Sequence, residues 1–178
     1  MSVKSDSALD VAYSVTPGYS AVELPYSWGR LAALVVMPAG EALGSYVAGL
    51  TTTRLASVVR RLKKNPVFVD LPRFTLRTSG ELSQVLQAMG MHDAFQNADL
   101  SGMLPGVTGL AVQQVVQRAY LHVTAWGTEA AAATGIGVGV SATTSKVRVV
   151  FDHPFLFLVR DTKTGAILFA AEVQNPAA

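Results

Sequence analysis

The sequence predicts an α+β fold built mainly of antiparallel sheets, with about three helices. Strand-like segments outnumber helical ones, and the two kinds do not alternate regularly as they do around a parallel sheet. Half of the 178 residues are hydrophobic, and the mean hydropathy is +0.35. The chain therefore has enough apolar material for a real core.

The amino-terminal part is expected to supply strands. Residues 9–14 and Tyr19–Pro25 alternate apolar with polar side chains, and the Pro-Gly pair at 17–18 marks a turn between them. Residues 31–37 form a continuous apolar run ended by a proline, which is typical of a buried strand. Residues 1–8 are polar and are expected to be loose.

Two helices are predicted in the middle of the chain. Threonines 51–53 offer hydroxyls that cap the first helix, and Pro66 follows its end. Thr78 and Glu81 have capping-box spacing and open the second helix, which stops at Gly90. The apolar faces comprise Leu55, Val58, Val59 and Leu62 in the first helix, and Leu82, Val85, Leu86 and Met89 in the second.

Further strands are predicted between and after these helices. Val67, Val69 and Leu71 recur at every second position, as in a strand, and residues 115–124 form a long strand candidate. Residues 155–159 and 166–173 flank a polar turn at 160–165, which predicts a hairpin. The long candidate strand places Ala119, Leu121 and Val123 on one face.

Composition and motifs exclude several kinds of function. There is no cysteine, and a formal net charge of +2 is too small to indicate a nucleic-acid partner. No apolar run is long enough to cross a bilayer and no export signal opens the chain, so no membrane partner is expected. His92, His122 and His153 lack ligand spacing, and no nucleophile or phosphate motif appears. We therefore expect no metal, no cofactor and no enzymatic activity.

Residues 130–145 carry neither a charge nor an aromatic ring. A segment of this length without secondary structure is usually functional or disordered. Its alanines and branched residues are of the kind that proteins ordinarily bury, which suits a segment exposed in one state and forming an interior strand in another. A helix or a low-complexity linker is the commoner explanation of an alanine run, and periodicity does not decide between these alternatives.

Motifs around this segment resemble those of the serpins, a family of serine protease inhibitors. Residues 127–134 are similar to the hinge of inhibitory serpins, and residues 152–158, Asp-His-Pro-Phe-Leu-Phe-Leu, look like the family signature. The other segments that match in family order are residues 22–26, 71–74, 82–102, 164–169 and 173–176. The hinge residues are Gly127, Thr128, Glu129, Ala130, Ala131, Ala132, Ala133 and Thr134.

The resemblance implies that residues 1–178 are one partial domain, the carboxyl-terminal half of a serpin fold, with an exposed reactive-centre loop at about 127–148. It also implies a suicide substrate: a serine protease cleaves the loop, whose amino-terminal part then inserts into a sheet. Family spacing puts the cleaved bond between Ser141 and Ala142, with Val140 and Thr143 as alternatives. Since these side chains are small and uncharged, an elastase-like or subtilisin-like protease is the expected partner.

The chain departs from the family pattern at three places. Ala125 and Trp126 replace charged residues common before the hinge, and Gln117 stands where the family carries a histidine that controls sheet opening. The chain also begins late relative to the family, so a separate amino-terminal half is another expected partner.

These departures leave two alternatives to inhibition open. One is a non-inhibitory serpin-like binding or structural protein, and the other is a truncated fragment cleaved as a simple substrate. The resemblance implies an extracellular location, although the lack of an export signal leaves the cytoplasm open.

A basic cluster, Arg60, Arg61, Lys63 and Lys64, is predicted to lie on the first helix close to Arg54. The resemblance makes it a candidate polyanion site, because some serpins bind heparin through basic helices. A solvated helix face is the commoner meaning of such a cluster.

Overall fold

The computed structural model describes residues 2–4, 8–27, 29–96, 98–103, 109–124, 127–128 and 147–176. The strands within these ranges are β1 (Ser2–Lys4), β2 (Leu9–Thr16), β3 (Tyr19–Pro25), β4 (Leu31–Pro38), β5 (Lys63–Pro72), β6 (Phe74–Glu81), β7 (Val116–Thr124), β8 (Gly127–Thr128), β9 (Arg148–Val150), β10 (Phe155–Asp161) and β11 (Ile167–Val173). The helices are α1 (Leu43–Ala48), α2 (Thr52–Arg61), α3 (Ser83–Ala88) and α4 (Asp93–Gln96). About three helices were expected, and the described residues form four; α1 and α4, of six and four residues, have no counterpart among the two helices located in the sequence.

The chain divides into two compact units. The first comprises residues 1–74 and 122–178, and the second comprises residues 75–121. The first unit holds a sheet in the order β1-β5-β2-β3-β4-β10-β11, and β9 also pairs with β5. Its neighbours are antiparallel apart from the parallel β5–β9 pair, which agrees with the predicted class. None of the helices in the described ranges is long and apolar enough to cross a bilayer.

The amino-terminal hairpin forms as predicted. β2 and β3 pair from Ala12 opposite Glu23 to Thr16 opposite Tyr19. The Thr16 hydroxyl donates to the Tyr19 carbonyl at 3.0 Å and accepts from its N–H at 3.1 Å, which closes the turn. β4 pairs with both β3 and β10 and is buried over most of its length, so the prediction of a buried strand is confirmed.

The sheet of the first unit has a core on both faces. One face packs with α1 and α2 through the buried side chains Ala21, Leu34, Val36, Leu43, Tyr46, Val58, Leu156 and Leu158. The alternate positions of β10, Phe155 and Phe157, meet the Phe74 ring edge to face at 5.7 and 5.6 Å. Because successive strand residues point to opposite faces, one strand supplies both cores. Fully burying each large apolar side chain contributes about 1.5–3 kcal/mol.

The first predicted helix is confirmed as α2, and so is its cap. The Thr51 hydroxyl accepts the Arg54 N–H at 3.1 Å, and Thr51 itself is extended, with φ −91° and ψ 162°. The placement of Lys63 and Lys64 on this helix is wrong. Leu62 turns extended, with φ −63° and ψ 131°, and the two lysines open β5 opposite Tyr13 and Ala12. Pairing with β2 therefore ends the helix well before Pro66.

The predicted capping box of the second helix is also wrong. Thr78 lies in β6, and α3 begins at Ser83 with Leu82 as its N-cap. Glu81 still stabilises the start of α3, because its carboxylate accepts the Ser83 N–H at 2.9 Å. The predicted stop is confirmed, since Gly90 has a φ of +100°, a conformation that favours glycine.

Two loop predictions need correction. Residues 2–4, expected to be loose, form β1, in which Val3 lies opposite Leu71. Arg160 and Asp161, assigned to the polar turn, are buried at the end of β10. Arg160 donates to Glu23 at 2.6 Å and Asp161 accepts from Arg30 at 2.7 Å. Oppositely charged partners distant in sequence therefore let these polar residues continue the strand.

Candidate reactive-loop site

The strand that leads toward the predicted loop is β7. It lies between β6 and β8 in a three-stranded sheet. Its start is fixed within the second unit, where the Leu82 N–H donates to the Val115 carbonyl at 2.8 Å and the Val115 N–H donates to Ser83 Oγ at 2.9 Å. Of the three residues predicted to share one face of this strand, Leu121 and Val123 are buried and Ala119 is half-buried.

Gln117 lies near the start of β7 and is exposed. By strand alternation it shares a face with Leu121 and Val123. Its role in sheet opening stays a prediction, because the structure tests its position and not that role.

The predicted hinge begins inside the described residues. Gly127 and Thr128 form β8, which pairs antiparallel with Thr124 and Val123 of β7. The hinge motif therefore begins on a strand that runs antiparallel to β7. The remaining predicted positions lie outside the described residues: Ala125, Trp126, Glu129, Ala130, Ala131, Ala132, Ala133, Thr134, Val140, Ser141, Ala142 and Thr143.

The chain re-enters the described part at Val147 and forms β9 beside β5. Arg148 Nη1 donates to both carboxylate oxygens of Asp70, at 2.7 and 2.8 Å. The Asp70 side chain is 8% exposed, and the Arg148 guanidinium lies 4.8 Å from the centre of the Phe68 ring. This ion pair was not predicted from the sequence. Its signal was a single carboxylate within the apolar alternation of residues 67–71, since a buried charge needs a partner.

The histidines are separate in the structure. The His153 ring lies 2.7 Å from the Asp152 carboxylate, and both side chains are exposed. His92 is exposed and His122 is half-buried. Among the described residues, no group of three or more His, Cys, Asp or Glu is arranged to hold a metal ion.

The basic cluster lies on two elements instead of one helix. Arg60 and Arg61 end α2, and Lys63 and Lys64 begin β5, with all four exposed. Lys64 pairs with Asp10 at 3.2 Å. Arg54 is occupied elsewhere, because it pairs with Glu41 at 2.6 Å and lies over the Tyr46 ring at 4.2 Å.

Local hydrogen bonds lower the pKa of three carboxyl groups in the described part of the chain, those of Asp99, Asp161 and Glu81, and the last two lie in the elements discussed above. The backbone N–H of Thr164, followed by the Arg30 side chain, holds the pKa of Asp161 below its ordinary value. Hydrogen bonds from the Ser83 hydroxyl and backbone lower the pKa of Glu81 in the same way. Both carboxylates therefore stay ionised to lower pH than a free side chain, and both serve as structural acceptors.

Comparison with known proteins identifies one family of similar sequences. The family model described as serpin (serine protease inhibitor) matches residues 1–176. An uncharacterized serpin-like protein of Thermococcus kodakarensis is 36% identical over 159 residues, covering 88% of this chain and 37% of the relative. Serpin B11 of Homo sapiens is 35% identical over 172 residues, covering 93% of this chain and 43% of the relative.

A solved structure shows the same fold. Thyroxine-binding globulin in complex with thyroxine superposes with a TM-score of 0.76 at 27% identity, covering 99% of this chain and 46% of that one. The chain belongs to the serpin family. It spans less than half the length of these relatives.

Proposed function

We propose that this chain carries the bait loop of a suicide inhibitor of serine proteases. The observation that carries the proposal is the family match over residues 1–176, within which β8 begins the hinge motif and β9 follows the loop. In this proposal, residues 127–148 are presented to the protease, and the bond between Ser141 and Ala142 is cleaved. Val140 and Thr143 are the alternative specificity positions.

Insertion of the cleaved loop supplies the free energy that drives trapping of the protease. The amino-terminal part of the loop joins the sheet as a new strand, gaining backbone hydrogen bonds and burying its side chains. Residues 130–133 are all alanine, so little bulk or charge opposes their entry. The protease, still held as an acyl-enzyme, moves with this strand and is trapped.

The small residues at the proposed bond favour an elastase-like or subtilisin-like target. A pocket suited to a small side chain accepts Ser141, whereas a trypsin-like pocket requires a lysine or arginine. An extracellular location, which the family resemblance implies, is part of the proposal. The proposal also includes a requirement for further serpin sequence, which a separate chain can supply.

A denaturing gel tests the proposal. The chain is incubated with an elastase-like protease, both alone and together with the amino-terminal part of a related serpin. We expect a stable band at the summed mass of inhibitor and protease. Cleavage without that band in both mixtures supports the simple-substrate alternative. An absence of any reaction supports a non-inhibitory binding role.

Thr128→Arg is the informative variant. Insertion would bury its charge at a cost of several kcal/mol, so we expect cleavage to continue while the trapped band falls about tenfold or more. Thr78→Arg is the matched control, because Thr78 is an exposed strand residue outside the loop. Equal trapping by Thr128→Arg and the control would contradict strand insertion.

We propose polyanion binding as a second function, at the basic cluster. In the described part of the chain, Arg60, Arg61 and Lys63 are exposed and make no ion pair, and Asp10 neutralises only Lys64. Three unpaired cations within four residues favour a sulfated polysaccharide through charge alone. Heparin-column chromatography tests this function.

The expected result is retention at low salt that weakens as salt rises, because salt screens exposed charges. The triple variant Arg60→Gln, Arg61→Gln and Lys63→Gln should elute at lower salt than wild type. Its control is Arg73→Gln, Arg118→Gln and Lys163→Gln, which removes the same charge from exposed positions elsewhere. Equal shifts in the two triple variants would overturn a localised site.

A further inference from the structure

The two ends of the predicted loop are held very differently. At the amino-terminal end, β8 contributes two residues that pair with Val123 and Thr124. At the carboxyl-terminal end, β9 pairs with β5 from Phe68 opposite Arg148 to Asp70 opposite Val150. Side-chain contacts then reinforce this second end.

The Arg148–Asp70 ion pair is one of these contacts. One guanidinium nitrogen donates to both carboxylate oxygens of Asp70, at 2.7 and 2.8 Å. Asp70 lies two residues beyond Phe68 on β5, so the carboxylate and the ring share one face and both contact the same arginine. The Asp70 side chain is 8% exposed and the Arg148 side chain is 44% exposed, so a largely desolvated carboxylate accepts charge-assisted hydrogen bonds from a partly solvated guanidinium.

Backbone hydrogen bonds and apolar packing also hold β9 against β5, and together with the Arg148–Asp70 ion pair they form the anchor of the loop. The Phe68 N–H donates to the Val147 carbonyl at 3.0 Å, and the Phe151 N–H donates to the Asp70 carbonyl at 2.9 Å. Val149 and Phe151 are buried, and the Phe151 ring meets Phe155 at 5.7 Å. Asp70 therefore holds β9 through its side chain and the residue after β9 through its backbone.

We infer that Arg148 and Asp70 form a latch that fixes the carboxyl-terminal end of the loop. The inference rests on the proposed function. Cleavage creates two new chain ends, and trapping requires the acylated end to leave while the other end stays. Because β9 is fixed, only the acylated end moves away after cleavage. Arg148 is thus a positioning residue, because it acts through β9 and does not touch the cleaved bond.

The test compares two arginine variants, each of which breaks an ion pair to a buried aspartate. Arg148→Gln breaks the latch. Arg30→Gln breaks a second Arg–Asp pair of the same unit, also 2.7 Å long, whose Asp161 side chain is 9% exposed. Hydrogen exchange is followed at the Phe68 and Phe151 amides, which donate to Val147 and Asp70 across the anchor. We expect at least about tenfold faster exchange at both amides in Arg148→Gln only.

Trapping provides the second readout. The fraction of cleaved chain that appears as trapped protease should fall several-fold in Arg148→Gln and stay at the wild-type level in Arg30→Gln. Arg148→Lys keeps the charge without the planar guanidinium, so it should recover part of both effects.

The outcomes separate the latch from the proposed function. Unchanged exchange at the two amides in Arg148→Gln would overturn the latch even if trapping fell. Faster exchange with normal trapping would overturn the positioning role. Equal losses of exchange protection and of trapping in Arg148→Gln and Arg30→Gln would show general destabilisation instead of a latch. A wild-type chain that traps no protease would refute inhibition, and with it the positioning role, while the exchange data still decide whether the latch exists.

Discussion

Buried charges on the strands of the first unit are stable because each has an opposite charge beside it. Arg160 Nε donates to Glu23 Oε2 at 2.6 Å, and the two side chains are 10% and 18% exposed. Arg160 lies opposite Ala32 of β4, at the end of the sheet face that α1 and α2 cover. Removing one member of such a pair leaves the other desolvated and uncompensated.

Arg160→Met should therefore destabilise the protein more than the loss of a surface ion pair. We expect the free energy of unfolding to fall by about 3–5 kcal/mol, the range for breaking a buried pair. The double variant Arg160→Met with Glu23→Gln should recover more than half of that loss, because no charge is left unpaired. Urea denaturation measures both values. Equal losses in the single and double variants would show that packing of the arginine stem, and not charge pairing, is responsible.

At the scale of the element, predictions succeeded where a local pattern specifies the structure. Alternation and a Pro-Gly turn were enough for the β2–β3 hairpin, and helical spacing after a hydroxyl residue was enough for α2. They failed where a distant strand decides. Lys63 and Lys64 continue a basic helical pattern but pair with β2, and Thr78 has capping-box spacing but lies in β6. Pairing partners distant in sequence are not visible in a local window.

The α2 cap provides a test at this scale. The Thr51 hydroxyl accepts the Arg54 N–H, which would otherwise lack a partner in the first turn of the helix. Thr51→Ala should lower the free energy of unfolding by about 1 kcal/mol. Thr53→Ala is the control, because Thr53 is exposed within the first turn and should change stability by less than about 0.5 kcal/mol. Chemical denaturation measures both values. Equal losses of unfolding free energy in the two variants would contradict a capping role for Thr51.

At the scale of the whole molecule, the family resemblance in the sequence is confirmed by the family match and by the serpin-like fold. The chemistry of the loop was predicted from motifs alone, and residues 129–146 lie outside the described residues. The Arg148–Asp70 anchor required the structure, because its two members are 78 positions apart. Exposed Leu168 and Phe169 on β11 leave apolar surface on the described part of the chain.

Hydrogen exchange across the hinge, before and after cleavage, tests loop insertion most directly. The chain is nicked by an elastase-like protease, alone and with the amino-terminal part of a related serpin, and exchange is followed for the amides of residues 129–134. Insertion predicts at least about tenfold slower exchange after nicking in the mixture that traps protease, because these amides enter a sheet ladder. Exchange as fast after nicking as before it, in both mixtures, would contradict insertion.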